Sequence, residues 1–422
     1  MENNKLPEFV TILHKNRAVL VDPQNRVCMK VSKRIAENLD RPEVREKLYP
    51  VWREQSRLQE IIKTQREKIN TVYLMVTRRC NMDCAFCAID ANQGVNLRQE
   101  FKISDINDKI IPFLNAFRPH KLIVTGGEPL VKDKILEIIK ALHKGTNCPI
   151  TLQSNGLLLD GEITEGLKGN IAEIDFSTKH MFETPERQQE LREHIRLCQR
   201  AGIDVVLSFI YEKFNRRDLF HVIDIAAEYN TGLIVNEVSP VGRAKENSYI
   251  FSESDRIDMN LDITTYIYDK GYEDKKLFTM GQQPVQVRSS CGAYGKVLAV
   301  FPEGNIYMCQ CLEDNPYKLG NVLEDSPRRV YEKLSCMLKQ KEIREKFCVQ
   351  EKLECSGCEY RYLCGGNCPI ASGKKDSACY FTKKMIDFQL FYQGLCHSKR
   401  ELLMKYIQYL ATVKDGYSIE NV

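Results

Sequence analysis

The sequence predicts an α/β protein built on a partial, TIM-like (β/α)6 barrel, with a small N-terminal α+β module and a cysteine-rich C-terminal domain. Three observations support this fold class. Short alternating apolar segments near the N-terminus precede a charged helical stretch, a strand–helix alternation then repeats six times, and beyond it cysteines recur at close, fixed spacings. The chain has 422 residues, of which 43% are hydrophobic, and is therefore long enough to form two or three domains.

The first predicted domain covers residues 1–70. Segments 9–13, 18–21 and 26–31 are apolar and are separated by turn residues, as in short strands. Residues 33–69 change to a helical periodicity with many charges. This order predicts a small sheet followed by helices.

The second predicted domain covers residues 71–285. Six βα units imply a parallel sheet with right-handed crossovers, in which functional residues gather at the carboxyl ends of the strands. An open, doubly wound sheet is the alternative topology. Residues 245–285 lack a clear pattern and are interpreted as a connection with helical parts. The predicted strands are 72–76, 121–125, 149–153, 172–176, 205–210 and 233–238, and the main helices are 104–117, 132–143, 185–200 and 217–229.

The predicted C-terminal domain covers residues 286–395, and a helical tail follows at 396–422. Segments 296–301 and 305–309 flank Pro302-Glu-Gly304, which indicates a hairpin. A single helix is predicted over 328–346, followed by a tight cysteine loop.

Composition narrows the possible functions. The net charge of +4 is small for this length and argues against a general nucleic-acid surface; an RNA-modifying enzyme would need a basic groove, and the arginine and lysine pairs are scattered. No apolar run reaches the roughly 20 residues of a membrane-spanning helix, and the N-terminus has no signal core. We therefore expect a cytoplasmic protein without a membrane partner. Thiols stay reduced there, so dense cysteines favour metal binding over disulfides.

Three cysteines follow the first strand of the barrel. Cys80, Cys84 and Cys87 form a C-x3-C-x2-C triplet. Three thiolates can hold three irons of a [4Fe–4S] cluster, which leaves the fourth iron open to another ligand. A partial zinc site is the alternative, but structural zinc usually has four nitrogen or sulfur ligands.

With Phe86 before its last cysteine, this triplet resembles the signature of the radical S-adenosylmethionine superfamily. The resemblance continues after the second strand, at Gly126-Gly127-Glu128-Pro129. It implies that the open iron binds the methionine part of S-adenosylmethionine, that the glycines let backbone groups approach the ligand, and that Glu128 lies near its amine. It also implies reductive cleavage to a 5′-deoxyadenosyl radical that abstracts a hydrogen atom. Further cofactor-binding candidates at the strand ends are Ser154, Asn155, Ser177, Val238 and Pro240.

A second set of cysteines resembles the SPASM extension of this superfamily. The resemblance implies two auxiliary [4Fe–4S] clusters and thus three clusters in all, whereas a zinc ribbon would explain four of the seven cysteines. The fourth ligand of one cluster stays open between Cys311 and a substrate thiolate. Cys311 lies two residues after Cys309, so on a strand their side chains share a face about 7 Å apart. By analogy, the sets are Cys355, Cys358, Cys364 and Cys379 for one cluster, and Cys291, Cys309 and Cys368 for the other.

Proteins with this extension mostly act on peptides or proteins. We therefore predict an enzyme that matures a ribosomally made precursor peptide by forming a thioether or carbon–carbon cross-link. Residues 1–70 would be a winged-helix-type module that binds the leader of the precursor as an added strand. A plain cap over the barrel is the alternative. A flavodoxin or ferredoxin is the expected electron donor.

Two other functions remain open. An anaerobic sulfatase-maturating enzyme, which forms formylglycine, carries an acidic base directly after the cysteine that corresponds to Cys309. This chain has Gln310 there, and Asp314 is a distant substitute, which counts against that function. An electron carrier or sensor would not need the Gly-Gly-Glu-Pro segment. The sequence identifies no catalytic proton acceptor.

Overall fold

A computed structural model describes residues 5–66, 69–92, 100–212, 215–246, 251–280, 285–313, 315–370 and 379–420. No helix within these ranges is both long and apolar enough to cross a membrane. The strands are β1 Val10–His14, β2 Arg17–Asp22, β3 Val27–Ser32, β4 Thr71–Met75, β5 Lys121–Thr125, β6 Ile150–Ser154, β7 Glu173–Ser177, β8 Asp204–Ile210, β9 Gly232–Asn236, β10 Val297–Val300, β11 Asn305–Tyr307 and β12 Lys318–Asn321. The α-helices are α1 Lys33–Ala36, α2 Pro42–Arg66, α3 Ile103–Asp105, α4 Ile111–Phe117, α5 Ile135–Gly145, α6 Gly161–Leu167, α7 Pro185–Arg200, α8 Arg216–Tyr229, α9 Glu253–Lys270, α10 Pro327–Met337, α11 Lys341–Phe347, α12 Arg361–Cys364, α13 Cys379–Phe391 and α14 Lys399–Glu420.

The central sheet has nine strands in the order β12-β11-β10-β4-β5-β6-β7-β8-β9. Strands β4 to β9 are parallel, and each pairs with the next along the chain. A doubly wound sheet would reverse its strand order at one point. The absence of a reversal among the described strands confirms the predicted partial barrel.

The cysteine-rich domain extends the sheet of the barrel. Strand β10 pairs in parallel with β4, with Val297 opposite Thr71, and β11 and β12 continue the sheet in antiparallel pairing. The predicted hairpin at Pro302-Glu-Gly304 is therefore present between β10 and β11. The turn of this hairpin lies at the carboxyl end of β4, the end that leads into the first cysteine triplet.

The barrel strands bury one face against the helices. Leu122, Val124, Leu152, Phe176 and Leu207 are fully buried and belong to the main hydrophobic core. The alternate residues of the same strands are mostly polar and point to the other face, because successive side chains of a strand alternate. This second face supplies the site described below.

Three segments differ from the predictions. The unpatterned connection contains α9, which begins with a capping box between Ser252 and Asp255. The single helix predicted over 328–346 is two helices, since Gln340 adopts an extended conformation before α11. The helical pattern that the sequence shows over 382–413 is also two helices, α13 and α14, and α14 packs on α9 and α13 through Phe388, Tyr406 and Leu410.

The N-terminal sheet is antiparallel in the order β1-β2-β3. One face packs through Leu20, Val27 and Met29 on Leu48 of α2. The other face packs on the C-terminal domain: the ring of His14 stacks on Phe391 of α13 with centroids 4.6 Å apart. The module therefore lies against the cysteine-rich domain, and the alternative of a plain cap stays open. The predicted domain boundaries stay predictions.

Candidate functional site

A cavity of about 540 Å³ opens at the carboxyl ends of the parallel strands. One wall of the cavity is the loop that follows β4 and carries the cysteine triplet. The ends of β6, β7 and β8 form the other wall. This is the edge where catalytic residues gather in barrels of this kind. The residues that line it include Cys80, Cys84, Phe86, Cys87, Gly127, Gln153, Ser154, Asn155, Asp175, Ser177, Lys179, His180, Ser208 and Arg243.

The two glycines after β5 let the chain approach the cysteine loop. A Cβ atom on Gly126 would lie 2.4 Å from the carbonyl oxygen of Thr77, and one on Gly127 would lie 2.1 Å from that of Arg79. The Gly127 N–H donates to the Thr77 carbonyl at 2.9 Å, and the Glu128 N–H donates to the Arg79 carbonyl at 2.9 Å. The glycines therefore fix the base of the cysteine loop, a task that the sequence did not reveal.

Glu128 is buried and connects three segments. Its Oε1 accepts hydrogen bonds from the Ser154 hydroxyl and the Leu130 N–H, each at 2.9 Å, and its Oε2 accepts one from the Asn155 N–H at 2.7 Å. Burial raises the pKa of this carboxyl, although these hydrogen bonds oppose the shift. The Asn155 amide in turn donates to Asn81 of the cysteine loop at 2.7 Å. Glu128 thus positions the end of β6 against the cysteine loop.

Arg243 holds the cysteine loop from the opposite side. Its backbone N–H donates to the Cys87 carbonyl and its guanidinium donates to the Ala91 carbonyl, both at 3.0 Å, and it also pairs with Asp83. Gly242 makes this contact possible: its φ is +57°, and a Cβ atom there would lie 2.2 Å from the Cys87 carbonyl oxygen. The segment after β9 therefore closes over the cysteine triplet.

A cation and an aromatic ring meet beside Cys87. The Lys179 Nζ lies 4.4 Å from the centroid of the Phe86 ring and 2.7 Å from a carboxylate oxygen of Glu212. The contact fixes Phe86 at the wall of the cavity. Both Lys179 and Phe86 are therefore available to an anionic or aromatic part of a ligand.

The structure brings only half of the predicted cofactor residues to the cavity wall. Phe86, Gly127, Ser154, Asn155 and Ser177 line it together with the three cysteines. The other candidates, Gly126, Glu128, Pro129, Val238 and Pro240, are not among its lining residues. Of these, Gly126 and Glu128 support the lining through the contacts described above.

Several lining residues escaped the sequence analysis. Gln153, Asp175 and Ser208 lie inside strands rather than at their ends, on the face opposite the apolar core. His180 follows β7, and its ring Nε2 is buried without a hydrogen-bond partner in the described part of the chain. Each of Gln153, Asp175 and Ser208 is a polar residue that interrupts an otherwise apolar strand. This pattern was the signal that could have identified them from the sequence.

The C-terminal cysteines form two groups. Burial raises the pKa of Cys355 and of Cys364, and the neighbouring Cys358 and Cys379 add to both shifts. Burial likewise raises the pKa of Cys291, with Cys368 and Cys309 adding to it, and Cys309 and Cys368 both raise that of Cys311. The cysteines of each set inferred from the resemblance are therefore neighbours, and Cys311 lies beside the second set. Their roles as cluster ligands stay predictions.

The strand geometry expected for Cys309 and Cys311 is wrong. Strand β11 ends at Tyr307, and the two cysteines lie in a turn closed by the hydrogen bond from the Leu312 N–H to the Cys309 carbonyl at 3.1 Å. Hydrogen bonding between the two thiols lowers the pKa of Cys309 to about 7 and raises that of Cys311.

The donor set fits an iron–sulfur cluster with a ligand beside it. Three thiols on one loop face a cavity with room for a small molecule, and Gly127 lets that loop pack against the end of β5. Within the described ranges, no three His, Cys, Asp or Glu side chains converge closely enough to hold a single metal ion. The cluster count of three stays a prediction.

Comparison with known proteins identifies the central region. Residues 74–226 match the family model described as the Radical SAM superfamily. The Fe-coproporphyrin III synthase of Methanosarcina barkeri is 24% identical over 378 residues, which cover 78% of this chain and 92% of that protein. A GTP 3′,8-cyclase of Clostridium perfringens is 26% identical over 287 residues, which cover 62% of this chain and 85% of that protein.

Two solved structures share the fold. Streptococcus suis SuiB bound to precursor peptide SuiA superposes with a TM-score of 0.54 and 14% identity, covering 85% of this chain and 96% of that one. The structure of anSMEcpe with bound AdoMet gives a TM-score of 0.57 and 17% identity, covering 78% of this chain and 98% of that one. At these identities the likeness establishes the architecture.

Proposed function

Because the chain contains a domain of the radical SAM superfamily, whose members are enzymes, we propose that it is a peptide maturase that uses S-adenosylmethionine to cross-link a ribosomally made precursor peptide. The product would contain a thioether or a carbon–carbon bond. A flavodoxin or ferredoxin would supply the electron.

The docked N-terminal sheet is the observation that carries this proposal. Its strands β1 and β3 each pair only with β2 in the described part of the chain, so a leader peptide can add as a further strand at either edge. Ile12, Val19 and Val21 pack in one cluster that also touches Cys355 and Cys358. A peptide bound at this sheet would therefore lie beside the cysteine-rich domain.

The residues of the first site would hold the cofactor. Cys80, Cys84 and Cys87 would hold a [4Fe–4S] cluster, and the cavity beside them would hold S-adenosylmethionine. When bound, the pair supplies the electron and the carbon radical that removes a hydrogen atom from the substrate. Glu128 and Arg243 keep the cysteine loop in place, and Phe86 and Lys179 close one wall of the cavity.

The two C-terminal groups would hold auxiliary clusters, with Cys311 as the fourth ligand of the second group. Such clusters accept the electron that is released when the substrate radical becomes product. Because Cys291 and Cys309 lie next to the β10–β11 hairpin, this acceptor would lie beside the sheet that also forms the barrel.

No specific contact favours the sulfatase-maturating function. Gln310 lies directly after Cys309 and accepts a hydrogen bond from its thiol at 3.4 Å, and an amide cannot act as the acidic base of that reaction. Asp314 lies outside the described residues.

The proposal is tested with protein whose clusters are reconstituted anaerobically. We expect dithionite and S-adenosylmethionine to yield 5′-deoxyadenosine, and a precursor peptide, sought among short reading frames beside this gene, to lose two hydrogen atoms by mass spectrometry. Coproporphyrin and GTP are assayed in parallel. Turnover of either of these with no change in the peptide would overturn the proposal.

A further inference from the structure

The polar interior of the barrel is built in layers. At the amino ends of the strands, Lys121 of β5 and Glu173 of β7 form an ion pair at 2.9 Å, and the Thr151 hydroxyl donates to the same carboxylate at 3.2 Å. This layer satisfies its charges internally. Neither Lys121 nor Glu173 lines the cavity beside the cysteine triplet.

The next layer contains Asp175, two residues further along β7. The Gln153 amide donates to its Oδ2 at 3.0 Å. Its Oδ1 is buried and has no hydrogen-bond partner in the described part of the chain. The residue is only 9% exposed, and the surface that remains open faces the cavity beside the cysteine triplet. A buried carboxylate oxygen without a donor is costly unless a ligand or substrate supplies one.

Among the described residues, no cation forms an ion pair with Asp175. Burial is the main cause that raises the pKa of Asp175 to about 6, and Glu173 adds to the shift, whereas the Gln153 hydrogen bond and Lys121 oppose it. Burial is also the main cause that raises the pKa of Tyr73 of β4, and Cys309, Cys311 and Asp175 add to that shift. A carboxyl in such a place can take up a proton near neutral pH.

We propose that Asp175 is the catalytic base that removes the substrate proton during cross-link formation. This inference rests on the proposed function. The substrate C–H bond loses a hydrogen atom to the cofactor radical, and a new bond forms between that carbon and the sulfur or carbon of a second residue. The X–H bond of that second residue breaks, its proton goes to the Asp175 carboxylate, and one electron goes to an iron–sulfur cluster acting as oxidant.

The first test needs no peptide. Infrared difference spectra of the reconstituted protein are recorded between pH 5 and 8. We expect a protonated carboxyl band that titrates with a midpoint near pH 6 and is missing in Asp175→Asn. The band should persist in Asp274→Asn, which alters an 88% exposed carboxylate at the surface. Absence of an Asp175-dependent band would overturn the proposal that Asp175 is the base.

The second test measures where turnover stops. In Asp175→Asn, we expect deuterium still to pass from labelled peptide into 5′-deoxyadenosine, so that turnover stops after the hydrogen atom is removed. Cross-linked product should fall by about 100-fold or more. Product at the wild-type rate would overturn the proposal, as would a joint loss of cofactor affinity and cleavage, which would make Asp175 a cofactor ligand.

The two proposals fail in different ways. Wild-type protein that cleaves the cofactor but never cross-links the peptide would contradict the peptide maturase. The infrared titration would then still decide whether Asp175 exchanges a proton at the cavity.

Discussion

Arg78 forms an ion pair with Glu303, with the Nε and Oε1 atoms 2.5 Å apart. Arg78 lies two residues before Cys80, whereas Glu303 lies in the turn between β10 and β11. The guanidinium also pairs with Glu313 and lies over the ring of Phe301, 5.0 Å from its centroid. One side chain therefore fastens the loop of the first cysteine triplet to the hairpin that leads to Cys309.

We predict that Arg78→Ala lowers the free energy of unfolding by about 2 kcal/mol, between the values for exposed and for buried ion pairs. The two carboxylates would then face each other without a cation. The measurement is chemical denaturation of the purified protein. Arg328→Ala is the matched control, because its ion pair with Glu332 is exposed, and it should change stability little. Equal effects of the two substitutions would contradict the role of Arg78.

We predict that Cys84→Ala abolishes formation of 5′-deoxyadenosine, because two thiolates cannot hold the cluster of the first site. Iron content and the cleavage assay are measured after the same anaerobic reconstitution. Cys336→Ala is the control, since this cysteine is exposed on α10 and lies in neither C-terminal group. A Cys84→Ala protein with full cleavage activity would show that the cluster is elsewhere.

We predict that Cys311→Ala removes one auxiliary cluster, about 4 of about 12 iron atoms per chain. Cleavage of S-adenosylmethionine should continue, since the first site is intact, while product formation falls. Iron analysis and electron paramagnetic resonance of the reduced protein are the measurements. Unchanged iron content in this variant would instead favour a substrate thiolate as the missing ligand.

We predict that Glu100→Gln destabilises the protein at neutral pH but not in acid. Burial alone would raise the pKa of Glu100, but hydrogen bonds from Arg79, Thr77 and Lys132 outweigh it and lower the pKa below 4.5. The ionised form is therefore favoured in the folded state. Its stabilisation is present above pH 4.5 and is lost as the pH falls through the folded value.

The expected loss in Glu100→Gln at pH 7 is about 1–3 kcal/mol in the free energy of unfolding. Denaturation curves of wild type and variant should converge when the pH is lowered below 4.5. Glu165→Gln, which alters an exposed pair with Lys168, serves as control. A difference that persists undiminished in acid would argue against the ionic network.

We predict that Leu13→Asp weakens binding of the precursor peptide by about tenfold, since a leader strand added to β1 would cover this side chain. Leu13 is 49% exposed on an edge strand. A fluorescence binding assay measures the affinity. Tyr331→Asp, which alters a 61% exposed side chain on α10, should leave the affinity unaffected. Deleting the whole sheet is less informative, because it uncovers Ile386 and Phe391. Unchanged affinity in Leu13→Asp would exclude β1 as the edge that binds the leader.

The sequence predicted the architecture well because its signals are local. The six barrel strands begin within two residues of their predicted positions, and α7 coincides with its predicted range. The capping box of α9 was visible as Ser252 and Asp255, but the charged surroundings obscured it. The break between α10 and α11 had no clear signal, because no glycine or proline marks it.

Spacing and local periodicity by themselves determined the six strand–helix units and the cysteine triplet after the first of them, since each depends on residues that are near one another along the chain. The grouping of the C-terminal cysteines came instead from the resemblance to the SPASM extension. Only the tertiary structure decided which strand face lines the cavity, and so brought Asp175 and Gln153 into the site. It also decided that Arg78 joins the loop of the cysteine triplet to the β10–β11 hairpin and that the N-terminal sheet docks on α13. These contacts join residues far apart in sequence, and their partners are chosen by packing, which no local pattern encodes.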